Sequence, residues 1–311
     1  MNDLEQKIDT LLAHQKRDWK LAHENYTSLT AVQTRSFEKD GRTTVLQFNP
    51  QRIRSSAAKI DPASLRERPC FFCGRPEVQE SLVYNDSFEL MLNPYPIFED
   101  HLTLPLRRHE KQQIRTYYSD MLDLASDLPR YAVFYNGPKC GASAPDHMHF
   151  QAGPKNGFPV RRGWTNFPKR LVRDNGSARL YVSDRCFPVT FFLVSEEKEE
   201  AADLFDLLYS RMSVRPDDYE PMMNLLTWKE GKTWTTCIFP RRALRPSCYY
   251  AEGDANILIS PATVEMSGLF VVPLEKDFKK VTYPDLAKIW EEVSITEEEK
   301  NELVRKIKTE A

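Results

Sequence analysis

Apolar residues near the start of the chain recur at helical spacing and then change to strand spacing. In residues 3–30, Ile8 and Leu11 lie among charged residues in a pattern that predicts one or two helices. Residues 43–48 alternate like a β-strand, and residues 49–69 are basic and have little periodicity. We therefore expect residues 1–68 to form N-terminal helices, a strand and a long basic loop.

The next section reads as a run of short strands with one helix among them. The predicted elements are strands 82–84, 88–92 and 101–106, a helix from about 110 to 126, and strands 131–135 and 146–152. Strands grouped around one helix predict an α+β unit with a mainly antiparallel sheet. We assign this unit to residues 69–160.

A similar order of elements returns after a connector rich in Gly and Arg. It comprises strands 180–182 and 189–194, a helix at 196–212, strands 222–228 and 234–239, and a helical tail from 283 to 310 in which Thr296 is a predicted N-cap. The repeated order predicts that residues 161–311 form a second copy of the same α+β unit. A duplication within one chain favours a monomer over a homodimer.

Charge and hydropathy exclude several classes of protein. The 311 residues include 43 Lys and Arg against 45 Asp and Glu, a net charge of −2 that argues against a general nucleic-acid binder. The longest apolar runs are far shorter than the roughly 20 residues of a membrane helix. The charged first residues lack the apolar core of a signal peptide, and we expect a cytoplasmic protein without membrane or nucleic-acid partners.

The strongest chemical signal is the H-x-H-x-Q sequence at positions 147–151. Period-two alternation places His147, His149 and Gln151 on one face of a strand, after a loop that contains Gly137 and Gly141. Backbone N–H groups of such a loop can hold phosphates beside an imidazole nucleophile. An isolated H-x-H also occurs as ordinary core or surface histidines.

A second signal is the CxxC at Cys70 and Cys73, since six cysteines in all are too few for a disulfide scaffold. Two thiolates need two more ligands for a tetrahedral zinc site, and His101, His109 and His147 are available. A reduced core pair or a redox pair is the alternative reading.

The basic loop and the second half contain further candidate groups. Arg52, Arg54 and Lys59 either lie on a solvated surface or bind a polyphosphate. The second half has no histidine. Its three clustered arginines either cover a sheet edge or receive a phosphate; they are Arg241, Arg242 and Arg245. We expect Glu265 to be a helix cap or a solvated acid rather than a catalyst.

Taken in order, several motifs between residues 69 and 153 resemble one known family. They are Cys70-Phe-Phe-Cys73, Leu92-Asn93-Pro-Tyr-Pro, His101-Leu-Thr-Leu-Pro105-Leu-Arg-Arg-His109, Asn136, Ser143 and His147-x-His149-x-Gln151. This set is similar to the histidine-triad (HIT) superfamily. The glutamine in place of a third histidine resembles its transferase branch, which includes galactose-1-phosphate uridylyltransferase, diadenosine tetraphosphate phosphorylase and GDP-L-galactose phosphorylase. The resemblance implies a HIT-like antiparallel sheet duplicated as two halves.

The resemblance also implies a role for each matching residue. His149 would be the nucleophile that becomes nucleotidylated, Gln151 would contact the phosphate of that intermediate, and Asn136 would orient the imidazole through its side-chain carbonyl. Ser143 resembles the phosphate-contacting serine, although it stands one residue early, and Asn93 occupies the place of a ribose-binding residue.

A structural zinc ion follows from the same resemblance, while further substrate contacts are expected from the glycine-containing loop. The implied zinc ligands are Cys70, Cys73, His109 and His147, and His101 would be a hydrogen-bonding histidine. In the glycine-containing loop we expect Lys139 and Gly141 to contact substrate.

The implied activity is nucleotidyl transfer through a covalent nucleotidyl-histidine. A nucleoside monophosphate would pass from an NDP-sugar or a dinucleoside polyphosphate to phosphate or a sugar phosphate, with ping-pong kinetics. One alternative is a nucleotide hydrolase, against which Gln151 argues because hydrolytic members usually carry histidine there. The other is a zinc-stabilised nucleotide-binding protein without turnover.

Overall fold

The computed structural model describes residues 2–53, 64, 67–184, 186 and 188–309. Arg54 and Lys59, two of the predicted substrate-binding residues, lie outside this part of the chain. The helices described are α1 (Asp3–Asp18), α2 (Lys20–Ser28), α3 (Tyr118–Asp127), α4 (Pro159–Gly163), α5 (Lys198–Arg211), α6 (Ser247–Tyr250), α7 (Thr263–Met266), α8 (Glu275–Lys280), α9 (Tyr283–Val293) and α10 (Glu297–Lys308).

The described strands form two sheets. They are β1 (Gln33–Lys39), β2 (Arg42–Phe48), β3 (Ser81–Tyr84), β4 (Phe88–Leu92), β5 (Leu102–Pro105), β6 (Tyr131–Asn136), β7 (His149–Pro154), β8 (Lys169–Asp174), β9 (Ala178–Ser183), β10 (Phe191–Ser195), β11 (Met223–Glu230), β12 (Thr233–Pro240) and β13 (Leu269–Val272). β3–β12 make one ten-stranded sheet, and β1, β2 and β13 make a small one.

The large sheet consists of two similar halves of five strands. Its order is β3-β4-β5-β7-β6-β11-β12-β10-β9-β8, and every described pair in it is antiparallel. Along the chain, β3-β4-β5-α3-β6-β7 recurs as β8-β9-β10-α5-β11-β12. The predicted α+β class and the predicted duplication are confirmed. The halves meet where β6 pairs with β11, with Asn136 opposite Asn224 and Val133 opposite Thr227.

Each face of the ten-stranded sheet carries its own hydrophobic core. Because neighbouring strand residues point to opposite faces, Leu225 packs in one core and Leu226 in the other. The first core lies under α1, α3, α5 and α10, while the second lies under the small sheet, α8 and α9 and contains Phe270 and Leu286. Fully burying one such side chain contributes roughly 1.5–3 kcal/mol.

The small sheet joins a hairpin from the N-terminal region to a strand from the second half. β1 and β2 form an antiparallel hairpin, and β13 lies parallel to β2 with Leu269 opposite Val45 and Val272 opposite Phe48. The segment that leads into β13 is thereby held against the first half. This connection brings residues 260–271 to the predicted site.

The C-terminal helices end and begin as their sequences predict. α9 ends at Val293, and α10 begins after Thr296, whose side chain accepts a hydrogen bond from the Glu299 N–H in a capping box. In the described part of the chain, no helix combines the length and the apolar character needed to cross a membrane.

The predicted helix at 110–126 is shorter than expected. It begins at Tyr118, after a 3₁₀ turn at Arg115–Tyr117. The preceding backbone is bonded elsewhere, because Gln112 N–H donates to Pro145 O at 3.1 Å and Ile114 N–H donates to Glu220 Oε2 at 2.9 Å.

Glu220 connects the second half to the first through a buried carboxyl group. Its Oε1 accepts a hydrogen bond from the Tyr135 hydroxyl, and its Oε2 accepts the bond from Ile114. Burial raises the pKa of Glu220 to about 7. The folded protein therefore binds a proton at Glu220 that the unfolded chain loses near pH 4.5, and stability should fall as the pH rises between these values.

We expect Glu220→Gln to flatten the dependence of stability on pH. Gln mimics the protonated carboxyl, since its amide can donate to the Tyr135 oxygen while its carbonyl accepts from Ile114. At about 1.4 kcal/mol per pKa unit, the wild type should lose up to about 3 kcal/mol at this group between pH 4.5 and 7. Urea unfolding at both pH values measures the difference. Glu252→Gln, at an exposed glutamate, should keep the wild-type profile, and an equal profile in Glu220→Gln would contradict the expectation.

Candidate active site

A cavity of about 510 Å³ opens on the end of β7 where the H-x-H-x-Q sequence lies. Residues of three kinds line its walls. Polar residues of the first half are Asn93, Thr103, Asn136, Ser143, His149 and Gln151. The aromatic residues are Trp19, Phe71, Phe72, Tyr95 and Phe134, and the residues from the second half are Ser260, Ala262, Val264, Glu265 and Val271.

The backbone holds His149 in one tautomer. Its Nδ1 lies 2.8 Å from His147 O, and because a carbonyl oxygen only accepts, Nδ1 carries the proton and Nε2 keeps its lone pair. Gln112 fixes the strand at this point by accepting from His149 N–H at 2.8 Å and donating to His149 O at 3.0 Å. Burial lowers the pKa of His149 to about 4, so the ring is neutral near pH 7.

A hydrogen bond from His101 fixes the orientation of the Gln151 side-chain amide. The Ile97 N–H donates to His101 Nδ1 at 3.1 Å, which leaves the ring proton on Nε2 to donate to Gln151 Oε1 at 2.9 Å. Burial lowers the pKa of His101 to about 3, so this ring too is neutral. With its oxygen occupied, Gln151 keeps its amide nitrogen as a donor in the cavity wall.

Asn93 and Ser143 both line the cavity, as does Gly141. Asn93 Oδ1 accepts from Tyr95 N–H at 2.9 Å, and its Nδ2 donates to Thr103 Oγ1 at 3.0 Å. The turn around Asn93 is therefore held by its own side chain. The structure thus brings the three residues together in one cavity wall, and their contacts with a substrate stay predictions.

Asn136 lines the cavity but does not orient His149. Its Oδ1 accepts from Thr263 N–H at 2.9 Å and from Asn224 Nδ2 at 3.1 Å, both in the second half. The His147 carbonyl performs the orienting role that the sequence assigned to the Asn136 carbonyl. The physical reason is proximity along the chain, because the His147 carbonyl is already at hydrogen-bond distance from the ring.

The predicted cationic contacts divide between the cavity and the surface. Arg52 lines the cavity and donates from Nη1 to Tyr95 O at 2.6 Å. Lys139 does not line it, since its ammonium forms an ion pair with Asp218. A carboxylate nearby holds the flexible lysine chain on the outer side of the loop.

Four side chains next to the cavity form a group that could hold a metal ion. The ligand atoms of Cys70, Cys73, His109 and His147 lie within 4.8 Å of one another. Cys70 Sγ is 3.2 Å from His147 Nδ1, and Cys73 Sγ is 3.3 Å from His109 Nδ1. Two ligands of a tetrahedral zinc ion lie about 3.5 Å apart when the metal bonds are 2.0–2.3 Å long, so the spacing fits.

The hydrogen bond of His147 supports this ligand set. Its Nε2 lies 2.7 Å from Leu106 O and so carries the ring proton, which leaves Nδ1 as the free ligand atom toward the cysteines. The strand predicted to begin at residue 146 begins at His149, the first residue of β7, and His147 precedes it. The ring of Phe72 lies 5.2 Å from that of His147 and 5.0 Å from that of His149. His147 and His149 therefore face different groups although they are two residues apart.

Glu265 and the arginines of the second half turn out to be buried or bonded. Glu265 caps α7 by accepting from Ala262 N–H at 2.9 Å, as one reading predicted, but it is only 6% exposed and burial raises its pKa to about 7. Arg241 is buried, Arg242 donates to Glu292 O at 3.1 Å, and Arg245 donates to Ser260 Oγ at 3.0 Å. None of the three arginines lines the cavity.

Sequence reasoning missed the outer walls of the cavity. Trp19 and Leu21 reach it from the junction of α1 and α2, and Glu265 and Val271 reach it from the second half. Their own sequence context carries no signal of a site. The pairing of β13 with β2 and the hydrogen bonds of Thr263 to Asn136 bring the second-half residues there, and both connect parts of the chain that are far apart in sequence.

Two family models match the chain, one in each half. The first, described as a domain of unknown function (DUF4922), matches residues 11–154, and the second, described as GDPGP1-like, C-terminal domain, matches residues 170–311. No curated protein matches the sequence.

Solved structures of one yeast enzyme share the whole architecture. Yeast Ap4A phosphorylase Apa2 in complex with AMP has a TM-score of 0.64 at 18% identity and covers 95% of this chain and 97% of its own. The complex with Ap4A has a TM-score of 0.62 at 19% identity and covers 95% and 98%. The chain shares the two-halved, HIT-like fold of these structures. The HIT-like fold that the motif resemblance implied is thus confirmed.

We expect Gly141→Ala to destabilise the HIT-like fold more than Gly176→Ala. Both glycines have positive φ, +92° and +85°, and so share a backbone penalty of roughly 1–2 kcal/mol. A Cβ at Gly141 would lie 2.5 Å from Ala262 Cβ, whereas a Cβ at Gly176 meets open space. Overpacking should add about 1–3 kcal/mol at Gly141, measured by urea unfolding. Equal losses in the two variants would show that the loop moves away without cost.

Proposed function

We propose that this protein is a nucleotidyltransferase that acts through a covalent nucleotidyl intermediate on His149. It would take a nucleoside monophosphate from an NDP-sugar or a dinucleoside polyphosphate and pass it to phosphate or a sugar phosphate. The observation that carries the proposal is a neutral imidazole in the cavity wall whose Nδ1 proton is held by a backbone carbonyl. The free lone pair of Nε2 is what an attack on phosphorus requires.

The reaction would proceed in two displacements. In the first, His149 Nε2 forms a bond to the α-phosphorus, the bond to the bridging oxygen breaks, and its electron pair leaves with the departing phosphate. In the second, an oxygen of the acceptor phosphate attacks the same phosphorus, and the P–N bond breaks to return the pair to Nε2. The proton stays on Nδ1 throughout, and its hydrogen bond to the His147 carbonyl stabilises the charge that the ring gains.

The neighbouring side chains would hold the transferred group in place. The Gln151 amide nitrogen would donate to phosphoryl oxygens, because His101 occupies its oxygen. Ser143 and the backbone at Gly141 would contact the phosphates, and Asn93 would contact the ribose hydroxyls. Arg52, a cation in the same wall, would face the departing or accepting phosphate.

Similarity to known proteins supports the same class of reaction. The yeast structures that share the fold are those of an Ap4A phosphorylase, and two of them contain Ap4A or AMP. A phosphorylase of a dinucleoside polyphosphate transfers a nucleotidyl group to phosphate, as proposed here. The base and the acceptor of the present protein are to be identified by experiment.

We also propose that the metal held by Cys70, Cys73, His109 and His147 is a structural zinc ion. Two thiolates and two imidazoles in tetrahedral spacing are a donor set that suits zinc. All four protein ligands would be used, so no position would remain for substrate. The ion would fasten the loop that carries Phe72 to the strand that carries His149.

Removing one thiolate should remove the zinc. We expect Cys70→Ser to lose the ion and to lower the melting temperature, because folding and metal binding are coupled at such sites. Elemental analysis and thermal unfolding measure both effects. Cys248→Ser, the same change at a cysteine outside the cluster, should keep one zinc ion per chain. Purified protein without metal, together with an unchanged melting temperature in Cys70→Ser, would refute the site.

A nucleotidyl adduct on His149 is the direct test of the function. Incubation with a panel of dinucleoside polyphosphates and NDP-sugars should give a mass increment that identifies the base, and peptide sequencing should place it on His149. His149→Ala should lose the adduct and at least about a thousandfold in turnover while it keeps its zinc.

The matched control is His23→Ala, a change of the same kind at an exposed histidine of α2. It should form the adduct as the wild type does. A His149→Ala protein that still transfers nucleotide, or an adduct on another residue, would overturn the proposal.

A further inference from the structure

Arg241 is a buried cation of the second half whose hydrogen bonds are all to oxygen atoms. It is 4% exposed, and it donates to Asn224 Oδ1 and to the backbone carbonyls of Pro261, Ala243, Leu244 and Val293. A guanidinium group only donates hydrogen bonds. Any amide that faces Arg241 must therefore present its oxygen.

This requirement fixes the amide of Asn224. Arg241 Nη1 lies 2.6 Å from Asn224 Oδ1, so Asn224 Nδ2 points the other way. There it donates to Cys140 O at 2.7 Å and to Asn136 Oδ1 at 3.1 Å. The carbonyl of Cys140 accepts only, which agrees with this orientation.

The amide of Asn136 is fixed in turn. Its Oδ1 faces Asn224 Nδ2, the backbone N–H of Thr263 at 2.9 Å and the Thr263 hydroxyl at 2.7 Å. A reversed amide would set N–H against N–H at the contacts with Asn224 Nδ2 and the Thr263 backbone. The Nδ2 of Asn136 is therefore turned away from the second half, and among the described residues it has no hydrogen-bond partner, while Asn136 lines the cavity beside His149.

We propose that Arg241 and Asn224 are positioning residues that turn the Asn136 amide nitrogen toward the phosphate of a nucleotide bound at His149. The inference rests on the proposed function and deepens it. Asn136 then acts as a donor to phosphate rather than as the partner of the imidazole. The second half, which has no histidine, would thus act on the phosphate through two hydrogen bonds, from Arg241 to Asn224 and from Asn224 to Asn136.

Two substitutions separate this role from a structural one. Asn224→Asp keeps the bond to Arg241 but places an oxygen against Asn136 Oδ1, so the Asn136 amide should turn over or move. Asn136→Asp keeps the acceptor for Asn224 and Thr263 and replaces only the nitrogen that faces the cavity. Because its interior bonds survive, Asn136→Asp should fold even if Asn224→Asp does not.

Binding of phosphate-bearing and phosphate-free probes gives a readout that does not depend on turnover. Calorimetry would use AMP, GMP and UMP and the corresponding nucleosides. Each variant should bind the monophosphate that the wild type binds most tightly about tenfold or more weakly than the wild type, and should bind the corresponding nucleoside with unchanged affinity. If transfer occurs, kcat should fall on the order of a hundredfold, the loss typical of one missing donor.

A double-variant cycle tests whether the two residues act through one another. With Asn136→Ala already present, Asn224→Asp should cause no further loss of monophosphate binding. The control is Asn301→Asp, which changes a surface asparagine that accepts from Arg170 in the same way and should alter neither binding nor turnover.

The outcomes distinguish this inference from the proposed function. Phosphate-dependent loss of binding without turnover in the wild type would support the positioning role and refute nucleotidyl transfer. Unchanged monophosphate binding in Asn136→Asp, or additive losses in the double variant, would refute the positioning role whether or not turnover is seen. A wild type that binds none of the probes would overturn both.

Discussion

The pairing of β6 with β11 is the interaction on which the rest of the structure depends. It joins two five-stranded halves into one sheet and sets Asn136 opposite Asn224. A continuous sheet removes two edge strands that would otherwise need cover. The pairing also fixes the register of β11 against β6, so that side chains of the second half can complete a site built on the first. The polar network of Glu220 and the network of Arg241 both cross this joint.

Backbone carbonyls and N–H groups decide what each histidine of the site can do. His147 and His149 each donate a hydrogen bond to a backbone carbonyl, but His147 donates from Nε2 and His149 from Nδ1. His101 instead accepts a hydrogen bond at Nδ1 from a backbone N–H. The same imidazole is thereby a donor to an amide at His101, and it is suited to the proposed roles of metal ligand at His147 and nucleophile at His149. The chemistry of the site follows from which ring atom the local fold leaves free.

The sequence predicted the elements that carry strong local patterns and missed those that depend on distant pairing. The repeated order of strands and helices, the capped helix after Thr296 and the group of four Cys and His side chains that could hold a metal all have local or motif signals, and the structure contains each of them. Strand β1 was missed, although the Asp40-Gly41 turn with its positive φ angles is typical of a hairpin.

The roles of single polar side chains were the least predictable part of the site. Asn136 and Lys139 lie in the expected segment, yet each is bonded to a residue of the second half, Asn224 and Asp218, that no local pattern connects to it. Hydrogen-bond donors and acceptors match in three dimensions, so their orientation depends on partners far away along the chain. Periodicity could place these residues near the loop but could not orient them.

The parallel pairing of β13 with β2 also has a consequence for how the protein folds. Leu269 and Val45 are paired although they are about 220 residues apart, a separation that raises the contact order of the chain. During synthesis the first half can assemble its sheet and its histidines long before the strand that completes the cavity leaves the ribosome. The wall that carries His149 can thus form before the wall that residues 260–271 supply, so the cavity is completed only by a part of the chain that is made late.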